Sequence, residues 1–238
     1  MDMRLLLISN SASPGEKYLE KAGADLANLL KDAKDNVLLI PYAAVTYSFD
    51  EYVRRVNEAL SPYDVVVRGV HEVSDPIQAV EEASAILVGG GNTWQLTRMV
   101  QEQGLIDVIR KRVLDGVPYS GWSAGSNIAC PTLSTTNDMP ITEPMSFHTL
   151  RLVPFQINPH YLDAHPSNHG GETREMRIQE YIIANPTTYV VGLREGSRLL
   201  VEGDKMTLLG ANPMRLFHNG EQPREIEPGA DVSFLLNP

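Results

Sequence analysis

A serine between two glycines, in Gly121-Trp122-Ser123-Ala124-Gly125, is the strongest chemical signal in the chain. It follows Val117-Pro118-Tyr119, a short segment that can lead into a buried strand. Gly-x-Ser-x-Gly at a strand end suits a sharp strand-to-helix turn with the serine at its apex. The backbone is cramped there, so residues without bulk are needed on both sides. The serine then stands at a helix N-terminus, where free N–H groups stabilise negative charge.

A serine hydroxyl is a weak nucleophile until a base takes its proton, and histidine is the usual base. Of the six histidines, His160 is the best placed. It ends Gln156-Ile157-Asn158-Pro159-His160, just past an expected strand and so at the same sheet edge as Ser123. The base needs an orienting carboxylate. Glu195, in Gly192-Leu193-Arg194-Glu195-Gly196, follows another strand, and Asp138 lies on the loop after the serine. The residues alone leave both open. An oxyanion needs N–H donors, expected from Ala124 and from Gly90 or Gly91 in the run Gly89-Gly90-Gly91-Asn92. That run lacks the spacing of a dinucleotide or phosphate loop. His165 and His169 have no cysteine or carboxylate at ligand spacing, so no metal site is assigned.

These residues must be positioned by a sheet. Arg4–Ser9, Asn36–Pro41, Val65–Val67, Ala85–Val88 and Pro118–Trp122 are expected as strands. Helical periods run over Lys17–Leu30, Phe49–Leu60, Pro76–Ala83, Thr93–Gln103 and Leu105–Asp115. Apolar strands alternating with helices predict an α/β fold with a mostly parallel central sheet flanked by helices. Its sites belong at the C-terminal strand ends. The second half predicts a strand near Leu152–Asn158 and a helix over Arg174–Ala184. Antiparallel strands then finish the chain near Tyr189–Leu193, Arg198–Val201, Met206–Leu209, Met214–Phe217 and Val232–Leu235. No linker divides the chain, so one domain over residues 1–238 is expected.

A net charge of −10 argues against a nucleic-acid partner. The single cysteine, Cys130, excludes an intrachain disulfide and fits a reducing compartment. The N-terminal run reads as a first strand and not as a signal peptide, and no stretch is long enough to span a membrane. A cytoplasmic protein is expected, with a homodimer left open.

Several blocks together carry a resemblance. Val88-Gly89-Gly90-Gly91-Asn92-Thr93, Gly121-Trp122-Ser123-Ala124-Gly125, Cys130-Pro131-Thr132, Thr135-Thr136-Asn137-Asp138-Met139-Pro140, Gln156-Ile157-Asn158-Pro159-His160 and Gly171-Glu172-Thr173-Arg174-Glu175 resemble the peptidase E family of α-aspartyl dipeptidases. Ser126, His148 and the tail after Val201 depart from that pattern. The resemblance implies a serine peptidase on a class I glutamine amidotransferase-like fold, with its triad in the order Ser, His, Glu. That order matches Ser123, His160 and Glu195, and Asp138 stays beside Glu195 as a second acid. The implied substrate is a dipeptide with an N-terminal aspartate, and no cofactor is needed. A carboxylate side chain in a small pocket calls for a cation. Arg174 is the candidate, with Asn92 as a further substrate contact and Asp138 as an alternative partner for the substrate amine. A cyanophycinase-like hydrolase of β-linked Asp-Arg units is the nearest rival, and a non-catalytic small-molecule binding protein of the same fold is the rival from another class.

Overall fold

The fold was analysed in a computed structural model that describes residues 3–163 and 170–237. The first half alternates strands and helices: β1 (Arg4–Ile8), α1 (Gly23–Leu29), β2 (Val37–Ile40), α2 (Phe49–Leu60), β3 (Val67–Gly69), α3 (Pro76–Glu82), β4 (Ala85–Val88), α4 (Thr93–Glu102), α5 (Leu105–Leu114), β5 (Tyr119–Trp122) and α6 (Ala124–Asn127). The second half holds β6 (Gln156–Tyr161), α7 (Arg174–Ala184), β7 (Val190–Arg194), β8 (Ser197–Glu202), β9 (Lys205–Gly210), β10 (Met214–Phe217) and β11 (Arg224–Ile226).

Seven strands form the main sheet in the order β3-β2-β4-β5-β1-β8-β9. The first five run parallel, as the apolar Leu5–Ile8 of β1 and the apolar β2 and β4 predict for strands covered on both faces. β8 and β9 add on antiparallel, with β8 pairing along the whole of β1. The C-terminal strands do not all join this sheet. A second sheet, β11-β10-β7-β6, holds the rest, with β6 and β7 parallel and the others antiparallel.

Two apolar layers cover the main sheet. One packs α1 and α2 through Leu26, Tyr52 and Val56 against Leu6, Leu39, Leu87 and Trp122. The other packs α3, α4 and α5, together with Ile157, Val191 and Leu193 of the second sheet, against Leu5, Leu38 and Ile86. α7 covers the far side of the second sheet through Ile178 and Ile182, which meet Tyr161, Val190 and Phe217. No helix among the described residues is long and apolar enough to cross a membrane.

Four expected elements differ. The strand expected near Leu152–Asn158 runs over Gln156–Tyr161 and so takes in His160. The helix expected over Lys17–Leu30 starts only at Gly23, because Leu19 turns to φ 56° and its N–H bonds Ser11 O at 2.6 Å. The third strand begins at Val67, the first residue in register with Val37, leaving Val66 exposed. Val232–Leu235, expected as a strand, lies largely within a 3-10 turn over Ser233–Leu236. Asp231 Oδ1 accepts the Ser233 N–H at 2.9 Å and starts that turn.

Candidate active site

Ser123 sits between β5 and α6 with φ 53° and ψ −110°, a strained conformation for a residue with a side chain. Both flanking glycines are required by space. A Cβ on Gly121 would overlap the backbone of Gly125, and one on Gly125 would overlap the Val88 carbonyl on the neighbouring strand. The elbow is therefore pressed against β4. Ser126 ties it down: its buried hydroxyl lies 2.7 Å from both Ile8 O and Gly121 O.

His160 lies within β6, where the strand carries an irregularity between Pro159 and Tyr161. Its φ of 53° turns the side chain out of the ladder. Its N–H donates to Ser9 Oγ at 2.9 Å, and Ser9 Oγ donates in turn to Leu193 O at 2.7 Å. One buried hydroxyl at the end of β1 thus holds both strands that bear on the imidazole.

The ring faces two partners. Nε2 is 2.9 Å from Ser123 Oγ, and Nδ1 is 2.7 Å from Glu195 Oε1. A carboxylate only accepts, so Nδ1 carries the proton and Nε2 is left as the acceptor for the serine hydroxyl. Glu195 stands where the chain steps from β7 in the second sheet to β8 in the main sheet, with Gly196 at φ +81° completing the turn. Three groups from the end of β1 and from β9–β10 fix that step. Asn10 Oδ1 accepts the Gly196 N–H at 2.7 Å, Asn212 Nδ2 donates to Glu195 O at 2.7 Å, and Ser13 Oγ lies 3.3 Å from Glu195 Oε2.

Asp138, the other acid considered for the histidine, is engaged elsewhere. Its Oδ2 accepts from the Thr93 N–H at 2.7 Å, from Thr93 Oγ1 at 2.7 Å and from Thr136 Oγ1 at 3.1 Å. It lines the same cleft but makes no hydrogen bond to His160. Asn92, expected to touch substrate, is held by its neighbours in this structure. Its Oδ1 caps α4 through the Gln95 N–H at 3.0 Å, and its Nδ2 donates to Met139 O at 3.0 Å. A cap needs the amide turned back on its own helix.

The backbone N–H groups of Gly90, Gly91 and Ala124 have no acceptor among the described residues. Gly91, at φ +138°, lies so close to the Ala43 carbonyl that only glycine fits. Tyr52 OH donates to Gly90 O at 2.8 Å and fixes this loop beside the serine.

Ser123, His160, Glu195, Asp138, Gly90, Gly91 and Arg174 all line one cleft of about 690 Å³. Arg174 heads α7, behind a Thr173 cap. Its Nη1 donates to His160 O and to Pro159 O, so the guanidinium also braces the backbone of the base. Burial lowers the Arg174 pKa, while the Glu195 charge opposes that shift. The arginine stays cationic. Cys130 is buried beyond the elbow, and burial pushes its thiol pKa well up. His165 and His169 lie outside the described residues.

Ser9, Asn10 and Ser13 belong to the site although no motif above singled them out. Their position just past the first strand was the available signal, since that edge gathers ligand groups. Nor did any motif single out Tyr18, Tyr47, Tyr52 and Arg55, which line the cleft from the β1–α1 connection, the β2–α2 connection and α2.

A hydroxyl, an imidazole and a carboxylate in this line can pass a proton from nucleophile to base, with N–H donors beside the elbow to receive an oxyanion. The profile of peptidase family S51 matches residues 5–209. A peptidase E of Streptomyces coelicolor is 50% identical over 99% of this chain and 96% of its own length. A peptidase E of Nostoc sp. is 45% identical over 99% of this chain and 98% of its own. The solved structure of a peptidase from an acI-B1 Actinobacterium shares the fold, with a TM-score of 0.70, 17% identity and 98% coverage of both chains. With its profile spanning most of the sequence and such relatives along nearly its full length, the chain belongs to peptidase family S51.

Proposed function

We propose that this peptidase is a serine dipeptidase that hydrolyses Asp-X dipeptides, with Ser123, His160 and Glu195 as its triad. The observation that carries the reading is the unbroken line from Glu195 Oε1 through His160 to Ser123 Oγ, at 2.7 and 2.9 Å. The names of the relatives favour peptidase E over a cyanophycinase-like or non-catalytic reading.

Ser123 Oγ attacks the peptide carbonyl as its proton moves to His160 Nε2. The imidazolium formed is stabilised through its Nδ1–H by Glu195. The oxyanion is received by the N–H of Ala124 and that of Gly90 or Gly91, donors that are free and fixed before the reaction begins. Such donors are worth about 10²- to 10³-fold each. His160 then protonates the leaving amine, and the C–N bond breaks to leave an aspartyl ester on Ser123. Water, activated by the same imidazole, hydrolyses the ester and frees the serine.

The polar lining supports an N-terminal aspartate. Arg174 offers a guanidinium edge for the β-carboxylate. The Asp138 carboxylate, in the same cleft, suits the free α-amine. A panel of Asp-Leu, Glu-Leu, Leu-Leu and β-Asp-Arg tests the reading. Turnover of Asp-Leu far above the other three is expected, and preference for β-Asp-Arg overturns it.

A further inference from the structure

Two arginines line the cleft, Arg174 and Arg55, and neither has a carboxylate partner among the described residues. Arg55, on α2, lines the same cleft as Ser123 and His160 and is half-buried. Its guanidinium carbon lies 5.3 Å from the Tyr18 ring centroid and 5.2 Å from that of Tyr47. Stacking on two rings fixes the planar fork and leaves its N–H edge available. No described carboxylate pairs with it. Glu58, on the next turn of α2, is taken by Arg54 at 2.5 Å. Neither acid of the cleft pairs with Arg55: Asp138 Oδ2 faces Thr93 and Thr136, and Glu195 faces His160.

The tyrosines connect this position to the nucleophile. Trp122 Nε1, beside Ser123 in the chain, donates to Tyr18 OH at 2.8 Å and to Tyr52 OH at 3.0 Å. Tyr52 OH reaches Gly90 O in the expected oxyanion loop. Arg55 and Arg174 reach the cleft from elements on opposite faces of the main sheet. α2 belongs to the layer around Leu39 and Trp122, whereas Arg174 is bound to β6, whose Ile157 lies in the layer around Leu38 and Ile86. An Asp-X dipeptide carries two carboxylates, one on each side of its scissile bond.

We propose that Arg55 binds the C-terminal carboxylate of the leaving residue and thereby sets the accepted length at two residues. This rests on the Asp-X reading above. Arg174 takes the aspartate side chain and Arg55 takes the far end, so the scissile carbonyl is held between them at Ser123. A third residue moves the terminal carboxylate on by about 3.3–3.6 Å and presents a neutral amide to the guanidinium instead. Arg55 contacts the leaving group in both ground and transition states, so its loss raises KM more than it lowers kcat.

The test measures kcat and KM for Asp-Leu, Asp-Leu-amide and Asp-Leu-Gly on the full-length wild type, Arg55→Gln and Arg55→Lys, with thermal melting of each protein. Arg55→Gln is expected to lower kcat/KM on Asp-Leu about 10- to 100-fold, chiefly through KM. It is expected to leave Asp-Leu-amide within about twofold and to narrow the gap between Asp-Leu and Asp-Leu-Gly. Arg55→Lys, which keeps the charge without the fork, is expected to fall between the two. Equal losses on Asp-Leu and its amide, or no loss on Asp-Leu, overturn the proposal. Wild-type enzyme that leaves Asp-Leu uncut fails the Asp-X reading instead, a result distinguishable without any variant.

Discussion

Ser9 accepts the backbone N–H of His160 at 2.9 Å, across 151 positions of sequence. The same hydroxyl donates to Leu193 O at 2.7 Å, so the end of β1 fixes both strands that feed the relay. His160 holds a positive φ, which persists only where its surroundings impose it. Replacing Ser9 by Ala leaves a buried N–H and a buried carbonyl unpaired, at about 1–3 kcal/mol each. Ser9→Ala is therefore expected to lower Tm and to reduce kcat on Asp-Leu about tenfold or more while KM changes little. Steady-state kinetics with parallel melting check this.

The two acids of the cleft are expected to separate cleanly. In Glu195→Gln the amide can donate as well as accept, so it no longer enforces the Nδ1–H tautomer, and without its charge it stabilises an imidazolium less. kcat should fall by about 10²- to 10⁴-fold with the fold intact. Asp138→Asn removes the charge and leaves one acceptor oxygen for the Thr93 N–H. It should weaken substrate binding through KM and cost about 1–2 kcal/mol of stability. Both variants measured on one Asp-X dipeptide decide the assignment.

The elbow glycines can be tested without any substrate. Gly125→Ala puts a methyl into the Val88 carbonyl and should destabilise the protein by at least about 1–3 kcal/mol, read as lower Tm. Gly170→Ala meets nothing within 4 Å and should leave Tm unchanged.

Acid sensitivity has an identifiable source away from the cleft. Arg194 pairs with Asp163 at 2.5 Å and with Glu225 at 2.7 Å, and Arg215 pairs with Glu225 at 2.8 Å. Hydrogen bonding to Arg194 lowers both carboxyl pKa values below their ordinary range. A depressed folded-state pKa stabilises the protein above the unfolded pKa, and that stability is lost as pH falls through the folded value. Glu225→Gln should therefore melt lower than wild type at neutral pH, and the gap should close on acidification below about pH 4. Melting curves from pH 7 to 3 check it.

Much of this arrangement was legible in the chain. The apolar runs of β1, β2 and β4 announced a covered parallel sheet, and the spacing of Gly121, Ser123 and Gly125 announced the elbow. His160 and Glu195 could be placed at one edge because strand ends were recognisable. The choice between Glu195 and Asp138 was not legible, since it depends on Thr93 lying beside Asp138 across 45 positions of sequence. The helix cap made by Asn92 was not legible, because a helix cap and a substrate contact use the same residue type. Arg55 was invisible as a cleft residue, because on α2 it reads as part of an ordinary solvated face. The second sheet was missed because strand runs do not say which strands they pair with.

The most direct test of the account is the kcat/KM of Ser123→Ala on Asp-Leu, with its melting curve beside the wild type. The account predicts a folded protein with activity reduced by at least about 10⁴-fold. Folded Ser123→Ala that turns over Asp-Leu at a rate near wild type would contradict it.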